Sequence, residues 1–184
     1  MMTKVLKALV SCALLCFTVP VLAQPHRTLT VNDFRGTPRA NNRGVVAYTN
    51  CTIDFKYQVS RENGNYILNC IVTMNMNHDR SWIDRSRITS QPMLAEILKH
   101  EQGHYTIAYL EQQEVLRQMG RTRFTANYRN EAMNLFDRID AKYRQLNIDY
   151  DEDTEHSVNK QQQHSWDVYF AKRLEFMPQE NASL

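Results

Sequence analysis

Residues 90–120 read SQPMLAEILKHEQGHYTIAYLEQQEVLRQMG, and the rest of the chain is best understood outward from this stretch. Ser90 offers a side-chain oxygen to the unpaired N–H groups of a first helical turn. Pro92 fits inside that turn, and Gly120 suits a stop after Met119. At about 100° per residue, Met93, Leu94, Ile97, His100, Glu101, His104 and Ala108 fall on one stripe, continued by Val115 and Met119. Two histidines and a glutamate therefore sit where a core-facing side is expected. Burying three ionisable groups among apolar neighbours is costly unless they pair or hold a metal.

Within the helix, His100-Glu101-Gln102-Gly103-His104 sets two imidazoles one turn apart on the same face, where both can converge on one ion. Zinc accepts neutral imidazole nitrogen, and three protein ligands plus a water make a catalytic rather than a closed structural site. Glu101, one residue further round, is placed to take a proton from that water. Gly103 costs about 1 kcal/mol relative to alanine inside a helix and suggests that something approaches closely there. Spacing leaves the third ligand open between His156 and Glu131, with His164 and His78 as weaker candidates.

The N-terminal third reads as β. Residues 28–34 alternate, and Ile53, Phe55, Tyr57 and Val59 recur at every second position. After a turn at residues 61–64, Tyr66, Leu68, Cys70, Val72 and Met74 keep the same step, which predicts a hairpin. Residues 35–44 read as a loop. The C-terminal part adds a helix over about 125–146, an acidic connector over 147–153, and a third helix starting after Asp153 or Thr154. Trp166, Tyr169 and Phe170 on that helix have the spacing of core residues. The expected architecture is α+β: a small antiparallel sheet packed against three helices, one of them a zincin-like active-site helix.

The first 23 residues have a short basic start (Lys4, Lys7), an apolar run, and Val21-Leu22-Ala23, the small-residue ending of a cleaved signal peptide. The expected organisation is a signal peptide over 1–23, a single domain over 24–176, and a flexible tail over 177–184. Without the leader the formal charge of +2 falls to zero, which gives no electrostatic argument for nucleic acid as partner. No later run is apolar enough for stable membrane insertion, so a periplasmic or secreted protein is expected. In that oxidising compartment the two remaining cysteines, Cys51 and Cys70, are expected to form a disulfide. Its cross-strand geometry requires a bulge or bend in the hairpin, because a tight turn leaves the pair out of step.

Five motifs in order carry a resemblance. They are Leu29-Thr30-Val31-x-Asp33-Phe34-x-Gly36-x-Pro38; Ser81-Trp82; His-Glu-Gln-Gly-His-Tyr at 100–105; Tyr150-Asp151 with Thr154-x-His156; and Gln163-x-x-Trp166. Together they resemble a bacterial family of unknown function whose members are labelled secreted zinc-dependent proteases. The resemblance implies His100, His104 and His156 as ligands of one Zn2+ and Glu101 as the base. It implies Tyr150 as a catalytic donor and Asp151 in support of the ligands. The sequence departs from the family pattern at Thr106 and Tyr109, where acidic residues are common, and at Ser157, where glycine is. The expected function is a zinc metallopeptidase acting on a peptide or protein substrate. The alternative is a non-catalytic cell-envelope interaction protein braced by a metal or a buried polar site.

Overall fold

Ser90 caps the first helix: its Oγ accepts the Met93 N–H at 3.2 Å, and α1 spans Gln91–Arg121 with Pro92 in its first turn. The computed structural model describes residues 25–38 and 44–176. The expected signal peptide and tail lie outside them. Among the described residues helix α1 is the hub, packing against three strands and both other helices. It is accordingly buried around most of its circumference, with Tyr105, Ile107, Leu110, Val115 and Met119 almost wholly out of solvent.

The hairpin forms as expected. Strand β1 is Ala47–Tyr48, and β2 (Cys51–Glu62) pairs antiparallel with β3 (Asn65–Met76). Its two-residue turn has Asn63 and Gly64 both at positive φ, 50° and 84°, matching the twist of the flanking strands. Ile53, Phe55 and Tyr57 face the core with Leu68 and Val72, and the Phe55 ring stacks on Phe136 with centroids 4.9 Å apart. A second, two-stranded sheet joins β1 to β4 (Trp82–Ile83).

Three expectations are corrected. Residues 28–34 are not a strand. Thr30 and Asp33 close a capping box around a short 3-10 turn, Val31–Asp33, with Asp33 Oδ2 accepting from Thr30 N–H at 2.7 Å and Oδ1 bound by Arg27 at 2.8 Å. Local side-chain bonds outcompete a ladder there. These partners outweigh burial and hold Asp33 down to about 2.

The Cys51–Cys70 disulfide is also overturned. Cys51 stands opposite Met76 and Cys70 opposite Tyr57, six pairs out of step in an unbulged hairpin. That offset is about 20 Å along the strands, far beyond the Cα separation a disulfide spans. Both are free thiols, pushed up by burial to about 12 for Cys51 and about 11 for Cys70.

The third correction matters most for the site. The segment 147–153 is not a connector, because α2 runs through it as Tyr128–Thr154. The chain then turns through three residues at positive φ, Glu155, His156 and Ser157. Helix α3, Lys160–Glu175, starts later than expected, capped by Asn159. As expected, Phe170 is buried in the main core with Trp166 and Tyr169 packed around it. The architecture is α+β, with three helices and small antiparallel sheets. Among the described residues no helix is long and apolar enough to cross a membrane.

Candidate metal centre

His100 and His104 converge as their spacing requires, with Nε2 atoms 3.2 Å apart. The extended α2 brings Asp151 to them: its Oδ1 lies 3.2 Å from His100 Nε2 and 3.1 Å from His104 Nε2. The three atoms form a nearly equilateral triangle. Ligand atoms about 2.0 Å from one tetrahedral zinc stand about 3.3 Å apart, so this donor set fits zinc in kind and in spacing. Among the described residues, His100, His104 and Asp151 are the group able to hold a metal ion.

Hydrogen bonds behind the rings fix which nitrogen faces the centre. His104 Nδ1 meets Asn147 Oδ1 at 2.8 Å, while the Asn147 amide nitrogen donates to the Tyr143 carbonyl. His100 Nδ1 meets Gln163 Oε1 at 3.2 Å, while Gln163 Nε2 donates to Asp167 at 3.0 Å and to the Tyr150 hydroxyl at 2.9 Å. Both amides thus turn an acceptor oxygen to a ring, each Nδ1 carries hydrogen, and each Nε2 points to Asp151. Burial opposes charge on His104, but its bond to Asp151 and the neighbouring carboxylates outweigh that and push it up to about 9. Burial opposes charge on Asp151 too, yet the His100 and His104 contacts hold it well below the usual carboxylate range. The cluster favours positive charge at its centre, from a proton or from a divalent cation.

Gly103 and Tyr150 explain each other. A Cβ at position 103 would overlap the Tyr150 hydroxyl and ring, so only glycine lets α2 approach this closely. Tyr150 stacks on the His100 ring, centroids 4.7 Å apart at 14°, and its hydroxyl donates to the His100 carbonyl at 3.0 Å. The side chain is fully buried and burial raises its pKa. Tyr150, expected as a donor to a reacting group, here backs the His100 imidazole and turns its hydroxyl to the His100 carbonyl and Gln163.

Glu101 is 3% exposed, and Thr49 Oγ1 donates to its Oε2 at 2.6 Å. Thr49 follows β1, so the small sheet orients this carboxylate. His100, Glu101 and His104 line a cleft of about 670 Å³ between α1, the strand segment after β1, and α2.

Of the remaining ligand candidates, His156 reaches the site but not the triangle. Its Nδ1 lies 3.1 Å from Asp151 Oδ1, on an exposed ring held in the left-handed turn after α2. Asp151 is the third converging donor in this structure, and His156 is its hydrogen-bond partner. Glu131 is elsewhere, since its carboxylate binds the Thr125 N–H at 2.9 Å at the far end of α2, about 30 Å along the helix from Asp151. His78 binds the Asp33 carbonyl, and His164 is exposed on α3.

Thr49 and Asn147 escaped sequence reasoning. Asn147 sits at helical spacing from Tyr143, Tyr150 and Thr154, a polar break in a buried stripe. No curated protein and no solved structure matches this chain. A family profile does, over residues 28–157, which takes in the triangle, Glu101 and His156. On that match the chain belongs to the bacterial family of unknown function designated DUF922.

Proposed function

We propose that the protein is a zinc-dependent hydrolase, and that its reaction is cleavage of a peptide bond. The observation that carries this reading is the triangle of His100, His104 and Asp151 donor atoms beside the buried, Thr49-oriented Glu101, open to one cleft. A zinc ion held there would supply a Lewis acid that polarises a carbonyl and makes water acidic near neutral pH. His100 and His104 would hold it through Nε2, because Asn147 and Gln163 occupy both Nδ1 positions. Asp151 would contribute the anionic donor. Glu101 takes the proton from the attacking water and returns it to the leaving nitrogen as the C–N bond breaks. Tyr150 and Gly103 keep α2 docked on α1, so that donors from two helices remain in register. The leader-like first 23 residues support an extracytoplasmic site of action.

The test is metal analysis of purified protein followed by cleavage of unfolded protein substrates with and without chelator. About one zinc per chain and chelator-sensitive cleavage are expected. Zinc uptake with a lower melting temperature on chelation, but no turnover on any substrate panel, would favour a structural metal in an interaction protein.

A further inference from the structure

Helix α1 carries one more ionisable group into the same cleft. Glu111 follows His104 by seven residues, two turns or about 10.5 Å along the axis. It is 8% exposed, and its Oε1 is buried without a hydrogen-bond partner. Its charge is answered only in part. Arg144, which lines the same cleft, acts on it through space but is ion-paired to Asp140 four residues back on α2. The Cys51 thiol on β2 is neutral. Ala108, Ile53 and Phe136 supply apolar walls of the same cleft.

We propose that Glu111 is a specificity site that receives a basic side chain, arginine or lysine, of the peptide substrate. This rests on the hydrolase reading and names its substrate class. An unpaired buried carboxylate is costly, and a cation arriving with an apolar stem offsets that cost while packing against the walls. A neutral isostere would leave the carboxylate unanswered, which is the condition for strong discrimination. An extended peptide rises about 3.3 Å per residue, so a basic residue within about three positions of the cleaved bond reaches Glu111 from the triangle. Burial, reinforced by Asp140 and opposed by Arg144, pushes Glu111 up to about 7, which agrees with a group lacking a counter-charge of its own.

The experiment uses the full mature chain carrying Glu101→Gln, so that peptides are bound and not consumed. Fluorescein-labelled oligoalanine peptides with one arginine at successive positions are compared with the same peptides carrying citrulline, by anisotropy. The arginine peptides are expected to bind about tenfold tighter at the best position, equivalent to about 1.4 kcal/mol. Adding Glu111→Gln should remove the preference. Equal affinity for both peptide sets, or a preference that survives Glu111→Gln, overturns the assignment. Zinc content of the same samples separates the two readings. Arginine preference in protein that takes up no zinc would sustain the subsite and sink the metal. Zinc-loaded protein without preference would do the reverse.

Discussion

Glu101 and Glu111 lie on the same helix and border the same cleft, yet their surroundings differ. Glu101 has a dedicated donor in Thr49, which orients the carboxylate. Glu101→Gln should keep zinc at about one per chain while lowering hydrolysis by at least ~100-fold, read by metal analysis beside a cleavage assay. Glu111 has no such partner, and its stability effect has the opposite sign to a paired carboxylate. Its folded-state pKa of about 7 lies above its ordinary 4.5. The native state therefore holds the proton more tightly, and stability falls as pH rises from about 4.5 to about 7, then levels off. Glu111→Gln should accordingly stabilise the protein at pH 8, by on the order of 3 kcal/mol, and little at pH 4. Denaturant melts at the two pH values measure this. Equal effects at both would mean that Glu111 is not a strained carboxylate.

At the scale of elements, the site depends on two helices meeting without a gap. Gly103→Ala would drive a methyl into the buried Tyr150 ring, which is pinned between the His100 carbonyl and Gln163. Overpacking of this kind costs about 1–3 kcal/mol. The variant should melt earlier and bind zinc more weakly, both seen in calorimetry with and without the metal. The last two turns of α2 decide which residue is the third donor. Asp151 is fixed on a helix, whereas His156 is exposed on the turn beyond it. Asp151→Asn should therefore reduce zinc affinity by about 100-fold or more, and His156→Asn by about tenfold, the scale of losing a supporting partner. Competition against a chromogenic chelator gives both values. A larger loss at His156 would restore it as the ligand.

Across the whole molecule, the three donors belong to α1 and α2, while their supports come from α2 and α3 and the orienting Thr49 follows β1. A cation bound at the triangle would tie these elements together in the native state alone. Added zinc should thus raise the melting temperature, equivalent to about 4 kcal/mol when free metal exceeds the dissociation constant a thousandfold, and chelator should reverse it. Unchanged melting in zinc would mean that the cluster does not recruit the metal. Gln102, inside the motif, adds a further tie: its amide binds the Arg27 carbonyl and the Leu29 N–H, securing the N-terminal segment to α1.

From the amino acids themselves came the capped α1, the facing pair His100 and His104, the neighbouring Glu101, the hairpin turn and the α+β class. Each is a local property, set by a cap, a helical repeat or a two-residue turn. Tertiary structure alone decided the rest. Hydrophobic periodicity fades after Leu146 because Asn147, Asp151 and Thr154 turn polar groups to the histidines, so the helix that completes the site looks like a loop in sequence. Residues 28–34 alternate like a strand, but Asp33 closes a local turn. The two cysteines suggest a bond, but strand register holds them six pairs out of step. Where side chains answer to partners distant in the chain, the local pattern carries no record of those partners, and only packing supplies it.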